Sequence, residues 1–432
     1  MSEEWLERYA IYRYEWEKEL SIFYSPIARR YAVASNSQLE AYLTDGRFAD
    51  VFGALADYAP INRQKKVLAP ADYTLLTILP NNVCNFSCSY CYSAAGRNGS
   101  YLKEAHLKAA IDYFIGSKPD TFGRPLTISY MGGGEPMLSW SLVKSGILYA
   151  EEQAIKRHLR IRHRIITNGS ILDNSSIDFL REHNIDVSVS FELLRDIQNL
   201  QRKNYDIVEK NVKRLLDSGI NVQINVTITL ANVERMEETF EWLLKEYDQV
   251  KNAMFEPVTG QQLFATPQEM ERFYNLYTKQ FVQCLRRAEK AKISLTSFVY
   301  LRTIYPLERA CPGELCLTAD GQFSGCYCVA SPRDHLFSQT RYGWIDMYNH
   351  IHFDMTRYNE LKAHDVYERA ECQSCKVKWN CGGGCFYQYA SYDESYRRVV
   401  CDFTRQFVAQ IIYYKVEQRL PVNHVYPILL KE

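Results

Sequence analysis

The chain has 432 residues, of which 47% are hydrophobic and 24% are charged, a composition typical of a globular protein with a large core and a second module. Its 51 basic and 51 acidic residues cancel, so bulk charge indicates no nucleic-acid or membrane partner. The amino terminus is too polar for a secretory signal, and no apolar run approaches the roughly 20 residues of a membrane span. We therefore expect a cytoplasmic protein without a nucleic-acid or membrane partner.

Residues 1–73 precede the repeating part of the chain. They contain a candidate strand or hairpin, SIFYSPIARRYAVAS, followed by the helix-like runs NSQLEAYL and FADVFGALADY. Two interpretations stay open for this segment. It is either an extension that packs on the rest of the protein or a small module that docks a peptide.

Between residues 74 and 300, short β-rich runs alternate with amphipathic ones. The candidate strands are 74–80, 126–131, 163–167, 186–191, 221–229 and 253–258, and the candidate helices are 103–117, 138–157, 175–183, 206–218, 234–248 and 267–292. Six strand–helix units imply a parallel sheet, because parallel neighbours need crossover connections. Six units are too few for a closed eight-stranded barrel. The sequence therefore predicts an α/β fold with a partial (β/α)6 barrel.

The loop after the first of these strands carries three cysteines, Cys84, Cys88 and Cys91, in a C-x3-C-x2-C spacing. Three thiolates that are close in sequence can hold a four-iron cluster and leave its fourth iron open to a ligand. The same spacing also forms a stripe on a helix, which would make these residues buried core thiols, and zinc with a distant fourth ligand is a further alternative. The flanking Asn, Ser and Pro residues favour a loop that binds metal.

This cysteine loop resembles the signature of the radical S-adenosylmethionine (SAM) superfamily, down to the aromatic Tyr90 before the third cysteine. The six strand–helix units also resemble that family's partial barrel. The resemblance implies that the open iron chelates SAM, and that an electron from the cluster cleaves SAM to methionine and a 5′-deoxyadenosyl radical.

A second motif follows the second strand and reads Met131-Gly-Gly-Gly-Glu-Pro136. Glycines allow the backbone to approach a ligand closely. By resemblance, Gly133, Gly134 and Glu135 contact the amino group of SAM.

Ser190 and Glu192 stand at the end of the fourth candidate strand, in a segment that resembles the one contacting the ribose and carboxylate of SAM. This chain has Phe191-Glu192 where many relatives have Asp-Gly. Arg202 either neutralises the SAM carboxylate or is a solvated surface charge. Asn168 is interpreted as a turn residue.

Residues 305–405 are rich in Cys, Gly and aromatic side chains, and their spacings resemble those of the SPASM module of radical SAM enzymes. The resemblance implies two auxiliary clusters, and therefore three 4Fe-4S clusters in all. The ligands of the first would be Cys311, Cys316, Cys326 and Cys385, and those of the second Cys372, Cys375, Cys381 and Cys401. Cys328 is an alternative to Cys316, and a zinc-ribbon module is the competing interpretation. Cys284 is expected to be a core thiol, and residues 406–432 a C-terminal helix and tail.

Enzymes with this module commonly modify peptides. We therefore expect a peptide maturase that installs an oxidative change, such as a thioether or carbon–carbon cross-link, in a ribosomal precursor peptide, with a flavodoxin or ferredoxin as electron donor. An anaerobic sulfatase maturase is an alternative, although Tyr327 stands where those enzymes commonly have an acidic residue. A small-molecule radical SAM dehydrogenase or decarboxylase and a non-enzymatic electron carrier complete the alternatives. The sequence singles out no catalytic acid or base.

Overall fold

The computed structural model describes residues 6–7, 9–17, 19–37, 53–55, 68–119, 122–311, 315–420 and 428–431. Their strands form one sheet of eleven strands and one of four. Numbered along the chain, the strands are β1 (Tyr12–Glu17), β2 (Leu20–Ser25), β3 (Arg30–Ser35), β4 (Leu75–Ile78), β5 (Leu126–Tyr130), β6 (Ile161–Thr167), β7 (Asp186–Ser190), β8 (Val222–Ile228), β9 (Asn252–Pro257), β10 (Ser294–Thr296), β11 (Leu315–Leu317), β12 (Gln322–Ser324), β13 (Arg341–Ile345), β14 (Ile351–Phe353) and β15 (Ile428–Lys431).

Most of the helices lie between the strands of the larger sheet. They are α1 (Glu104–Gly116), α2 (Trp140–Lys156), α3 (Asn174–Glu182), α4 (Arg195–Gln201), α5 (Tyr205–Asp217), α6 (Met236–Glu246), α7 (Pro267–Ala291), α8 (Phe298–Ile304), α9 (Phe337–Thr340), α10 (Met355–Lys362), α11 (Lys378–Cys381), α12 (Phe386–Ser391) and α13 (Glu394–Arg419). Within the described ranges, none of them is long and apolar enough to cross a bilayer.

The strands β4 to β10 run parallel to one another and form the predicted partial barrel. The six predicted strands correspond to β4–β9, and the six predicted helices to α1, α2, α3, α5, α6 and α7. The fold-class prediction is therefore confirmed. Within residues 74–304, three short elements were not predicted: α4, β10 and α8. Each has only three to seven residues, too few to show a hydrophobic period.

The pleat of the barrel strands separates an apolar face from a polar one. In β8, Val222, Ile224, Val226 and Ile228 are buried, whereas the three residues between them are only partly buried. Those three are polar: Gln223, Asn225 and Thr227. Because alternate side chains point to opposite faces, the apolar face packs against the helices and the polar face lines the inside of the barrel. The barrel is therefore suited to enclose a polar ligand.

The cysteine-rich part of the chain continues the barrel sheet. Strand β11 pairs in parallel with β4, with Cys316 opposite Thr77, and β12, β13 and β14 follow as antiparallel neighbours. The sequence did not predict this extension, because the three-residue strand β11 lies inside a cysteine motif. The first barrel strand is therefore hydrogen-bonded on both sides.

The smaller sheet has the order β1-β2-β3-β15, so a strand near the end of the chain pairs with the N-terminal hairpin. The candidate hairpin is present as β2 and β3, while β1 and β15 were not predicted. One face of this sheet packs on α13 through Val408, Ile412 and Val416. The two helix-like runs of the N-terminal segment lie outside the described residues, apart from residues 36–37 and 53–55.

Candidate functional site

The predicted site residues of the barrel lie where the parallel strands end. The cysteine loop follows β4, the Gly-rich segment follows β5, Asn168 follows β6 and Ser190 ends β7. The carboxyl ends of parallel strands meet at one edge of the sheet, which is the usual place for a ligand in such folds. The structure therefore brings these separate segments of the sequence together.

Cys84, Cys88 and Cys91 lie on an irregular loop and are partly buried. The loop is not helical, so the interpretation of a buried helical stripe does not apply. Burial is the largest cause of the raised pKa of the Cys88 thiol; the Arg202 guanidinium opposes it, and the nearby Cys91 and Cys84 reinforce it. The three thiols are therefore close enough to influence one another's charge.

Several donors point at these sulfur atoms. The backbone N–H of Phe86 donates to Cys84 Sγ at 3.4 Å, and the Asn168 amide nitrogen lies 3.9 Å from the same sulfur. The Arg97 guanidinium donates to Cys91 Sγ at 3.4 Å. Donors of this kind stabilise thiolates, which is the form of cysteine that binds metal. The surroundings of the three sulfurs therefore fit an iron–sulfur cluster.

The Gly-rich segment is hydrogen-bonded to the cysteine loop. The Glu135 backbone N–H donates to the Val83 carbonyl at 2.8 Å, and the Asn81 side-chain amide donates to the Glu135 carbonyl at 2.9 Å. A Cβ atom on Gly134 would lie 1.9 Å from the Val83 carbonyl oxygen, and one on Gly133 would lie 2.6 Å from Asn82 Oδ1. The glycines thus allow the two loops to pack directly against each other.

Glu135 is buried and its carboxylate is held by the fold. Oε1 accepts hydrogen bonds from Thr167 Oγ1 at 2.6 Å and from the Met137 N–H at 3.0 Å, while Oε2 accepts from the Asn168 N–H at 2.7 Å. Burial raises its pKa, and these three hydrogen bonds oppose the shift. A carboxylate has about four acceptor sites, so one remains for a ligand. Glu135 therefore also joins the ends of β5 and β6.

A group of three side chains, of which Glu192 and Arg202 are buried and Tyr90 is partly buried, connects the cysteine loop to the end of β7. The Tyr90 hydroxyl donates to Glu192 Oε1, and Arg202 donates to the same hydroxyl at 2.7 Å. The Arg202 guanidinium lies 3.8 Å from the Glu192 carboxylate, which also accepts the Thr227 N–H at 2.9 Å. Burial is the largest cause that raises the pKa of Glu192 to about 7, and Arg202 opposes it.

This arrangement shows that Arg202 is not a solvated surface charge, since it is 8% exposed. Glu192 is fully buried, and its carboxylate faces Tyr90 and Thr227. Arg202 Nε is buried and has no hydrogen-bond partner within the described part of the chain. Ser190 is partly exposed at the end of β7, beside Asn225 of β8. Ser190 and the free donor of Arg202 are the groups here that could meet a polar cosubstrate.

Four of the downstream cysteines form one group. Cys372 ends a short 3-10 helix (Ala370–Cys372), Cys375 lies in the loop that follows, Cys381 ends α11 and Cys401 lies in α13. Burial raises the pKa of Cys381 to about 11; Arg302 opposes the shift, and the other three thiols reinforce it. Arg405, in the same helix as Cys401, lies with its Nη1 4.0 Å from Cys375 Sγ.

The remaining downstream cysteines are less uniform. Burial raises the pKa of Cys385, and Cys326 raises it further, so these two are neighbours. Cys316 is fully buried beside Leu79 and Ala330. Burial is the largest cause of the raised pKa of Tyr387, and Cys328 and Cys326 raise it further, so both cysteines lie near that side chain. The choice between Cys316 and Cys328 as the predicted partner of Cys311, Cys326 and Cys385 therefore stays open.

No disulfide joins any of the thirteen cysteines, all of which lie in the described ranges, and Cys284 is buried in the core as expected. In the described ranges, no three His, Cys, Asp or Glu side chains converge closely enough to hold a single metal ion. The four cysteines of an iron–sulfur cubane bind separate irons, so they need not converge on one point.

Three residues that contact the site were not predicted in these roles. Tyr90 was noted only as an aromatic residue of the motif, Asn168 only as a turn residue, and Arg97 not at all. Asn168 does make the turn, because its Oδ1 accepts the Ser170 N–H at 2.9 Å. Arg97 stands in the segment Gly-Arg-Asn-Gly, which is typical of a surface turn, so the sequence carries no signal of its contact with sulfur.

The sequence model of the Radical SAM superfamily matches residues 78–243. An uncharacterized protein from Methanocaldococcus jannaschii is 25% identical over 175 residues, which are 39% of this chain and 58% of that protein. The radical SAM cyclopropyl synthase TigE from Paramaledivibacter caminithermalis is 22% identical over 32% of this chain and 31% of its own length. This chain therefore spans less than two thirds of these two curated relatives. The cysteine-type anaerobic sulfatase-maturating enzyme from Clostridium perfringens is 20% identical over 70% of this chain and 85% of that enzyme.

Solved structures share the fold over most of the chain. The structure of anSMEcpe with bound AdoMet and the Kp18Cys peptide has a TM-score of 0.62, with 17% identity, and covers 79% of this chain and 99% of that one. SuiB from Streptococcus suis bound to the precursor peptide SuiA has a TM-score of 0.54, with 13% identity, and covers 89% and 98%. At these identities the likeness concerns the fold.

Proposed function

We propose, on the premise that residues 78–243 are a domain of the Radical SAM superfamily, that this chain is a radical SAM peptide maturase. Its substrate would be a ribosomal precursor peptide, and its product would carry an oxidative modification such as a thioether or carbon–carbon cross-link. The electron donor would be a flavodoxin or ferredoxin.

One observation carries the proposal. The three-cysteine loop and the Gly-rich segment are separated by about forty residues, yet they pack directly on each other at the end of β4 and β5 through the hydrogen bond between Glu135 and Val83. This contact puts three thiols, the glycine backbone and a buried carboxylate at one edge of a polar-lined barrel. A cluster with one open iron needs such a surface to position a zwitterionic cosubstrate.

Each group would have a separate role. Cys84, Cys88 and Cys91 would hold the cluster, which supplies the electron that cleaves SAM to methionine and a 5′-deoxyadenosyl radical. The Gly133–Glu135 segment would receive the SAM amino group through its backbone and the remaining acceptor site of the carboxylate. Arg202 would offer its free Nε–H to the SAM carboxylate, and Ser190 a hydroxyl to the ribose. Glu192 would act indirectly, by orienting Tyr90 and Arg202.

The downstream cysteines support a net oxidation. Abstraction of a hydrogen atom leaves a carbon radical, and closing a new bond then releases one proton and one electron. The electron needs an acceptor. The group of Cys372, Cys375, Cys381 and Cys401 would hold one four-iron cluster, and Cys385 and Cys326, with Cys311 and either Cys316 or Cys328, would hold another. Clusters with four cysteine ligands have no open iron and are suited to carrying electrons.

The assignment of a peptide substrate is supported by the relatives. SuiB has been solved with a precursor peptide and anSMEcpe with the Kp18Cys peptide, and both share the fold over at least 79% of this chain. A peptide also fits a barrel whose inner face offers amide and hydroxyl groups, such as those of Gln223, Asn225 and Thr227, since a peptide backbone needs hydrogen-bond partners when buried.

Sulfatase maturation is the second candidate, because the alignment with the Clostridium perfringens maturase covers 85% of that enzyme. The residue after Cys326 weighs against it. Tyr327 packs edge-to-face on Tyr92, with ring centroids 5.9 Å apart, so an aromatic ring stands where the maturases commonly carry an acid.

The first experiment is anaerobic reconstitution of the full chain, followed by measurement of iron, sulfide and 5′-deoxyadenosine released from SAM with dithionite. We expect about twelve irons per chain, and release that is lost in Cys88→Ala but kept in Cys284→Ala, the matched control in the core. No release from the wild-type chain at full iron content would contradict the proposal.

The substrate class is tested next with the Kp18Cys peptide and with cysteine-containing peptides encoded beside the gene. Loss of two hydrogens from an encoded peptide supports the cross-linking maturase. Conversion of a Kp18Cys cysteine to an aldehyde supports the second candidate, and a product mass equal to that of the substrate contradicts both.

A further inference from the structure

The Arg97 guanidinium spans the cysteine loop from Phe86 to Cys91. Its Nη1 donates to the Phe86 carbonyl at 2.9 Å, and its Nη2 donates to Cys91 Sγ at 3.4 Å. Nε is buried without a hydrogen-bond partner among the described residues. In that same part of the chain, none of the ion pairs involves Arg97. Among the described residues, no carboxylate pairs with its positive charge, and the group in contact with it that can carry negative charge is the Cys91 sulfur.

The backbone of Arg97 is held independently of its side chain. Its carbonyl accepts a hydrogen bond from Arg333 Nη1 at 2.8 Å, and the preceding carbonyl, that of Gly96, accepts from Ser331 Oγ at 2.6 Å. Both donors belong to the cysteine-rich part of the chain. Because these contacts use main-chain oxygens of the loop, a different side chain at position 97 leaves them in place.

The other donors near the three sulfurs are weaker or are already paired. Asn168 is neutral and lies 3.9 Å from Cys84 Sγ. Arg202 lowers the pKa of Cys88 against the effect of burial, but it also lies 3.8 Å from Glu192, whose negative charge offsets its field. Arg97 is therefore the unopposed cation in direct contact with one of these sulfurs in the described structure.

We propose that Arg97 tunes the cluster of the three-cysteine loop: its charged hydrogen bond to the Cys91 thiolate stabilises the reduced form and raises the reduction potential. The inference rests on the proposed function, which places a cluster on Cys84, Cys88 and Cys91. Reduction adds one negative charge to the cluster, and a cation held at a ligand sulfur favours that change. Hydrogen bonds to the sulfurs and net charge are established determinants of such potentials. Arg97 is thus a positioning residue that acts through Cys91.

The test uses the full reconstituted chain and a redox titration followed by electron paramagnetic resonance. The signal of this cluster is identified by its change when SAM is added, which separates it from the auxiliary clusters. For Arg97→Gln we expect the ratio of reduced to oxidised cluster at a fixed potential to fall about tenfold, equivalent to about 59 mV for a one-electron couple. Arg97→Lys, which keeps the charge, should stay close to the wild type.

Arg333→Gln is the matched control, because it removes the contact to the Arg97 carbonyl but leaves the guanidinium at Cys91. Its potential should equal that of the wild type. If Arg97→Gln binds its full iron and titrates with the wild type, the inference is wrong. If Arg97→Gln loses iron, recovery of both the iron content and the potential in Arg97→Lys supports the role of the charge. If Arg97→Lys recovers neither, the role of Arg97 is purely structural and the inference is overturned.

Failure of the proposed function looks different. It would appear as a wild-type chain in which no cluster signal responds to SAM, before any variant is compared.

Discussion

The contact between the cysteine loop and the Gly-rich segment makes Gly134→Ala the most informative single change. The backbone at Gly134 does not have a positive φ, so alanine meets no conformational penalty there. The effect is purely steric. The new methyl group would lie 1.9 Å from the Val83 carbonyl oxygen and 2.3 Å from Asn81 Oδ1, both far inside ordinary contact.

The size of the effect follows from what must move. The Val83 carbonyl must shift by more than an ångström, which breaks its hydrogen bond from the Glu135 N–H and strains the bond from the Val83 N–H to Asn81 Oδ1 at 3.0 Å. Overpacking costs about 1–3 kcal/mol, and each lost hydrogen bond about 1 kcal/mol. With one hydrogen bond broken, we therefore expect a loss of about 2–4 kcal/mol in the free energy of unfolding.

Because Val83 directly precedes Cys84, the same shift moves the first predicted cluster ligand. Urea unfolding of the metal-free chain measures the loss of stability, and iron content after reconstitution measures the effect on the site, with about four of twelve irons expected to be lost. Gly123→Ala is the control, since a Cβ there meets nothing within 4 Å. Wild-type stability and full iron content in Gly134→Ala would refute the steric argument.

Three further predictions concern protonation and the smaller sheet. Burial is the largest cause that lowers the pKa of His163 to about 4, and His183 lowers it further. Between about pH 6.5 and 4 the unfolded chain therefore binds more protons than the native one, so the free energy of unfolding falls as the pH drops through that window. His163→Phe should flatten this fall, and urea midpoints at pH 7.5 and 5 that shift equally in both proteins would contradict it. Burial is the main cause that raises the pKa of Glu256 to about 7. Here the native chain binds more protons than the unfolded one, so the free energy of unfolding falls as the pH rises from about 4.5 to 7. The stability of Glu256→Gln relative to the wild type should therefore grow over that range in the same assay. Deleting residues 428–431 removes the partner of β3, and hydrogen exchange should speed up at β3 but not at β8; unchanged exchange at β3 would show that this pairing contributes little.

The barrel could be predicted from the sequence because each of its units carries its own pattern. Strand β8 alternates polar and apolar residues over seven positions. Helix α7 begins at Pro267 and is capped by the preceding Thr266, whose hydroxyl accepts the Glu269 N–H at 3.2 Å. Such signals are local, so they are visible without the fold. The three-cysteine loop was equally visible, since its spacing alone carries the chemistry.

Contacts between distant segments could not be predicted in this way. Glu135 was expected to face a ligand, but three of its acceptor sites are used by Thr167 at the end of β6 and by Met137 and Asn168, which follow β5 and β6. Whether Glu192 meets a ligand or only other side chains depends on Tyr90, about a hundred residues away, and no spacing encodes that distance. The choice between Cys316 and Cys328 stays a prediction, because it depends on how β11 and the Cys326 loop approach Cys385.

The pairing of β4 with β11 has a practical consequence for protein engineering. The barrel and the cysteine-rich part look separable in the sequence, and a designer would be inclined to exchange the second part between related chains at a junction near residue 305. Such a chimera would have to rebuild a hydrogen-bonded seam in which Leu315, Cys316 and Leu317 match the register of the first barrel strand. Grafts that carry β4 and its following loop along with the new module should therefore succeed more often than those cut at the apparent boundary.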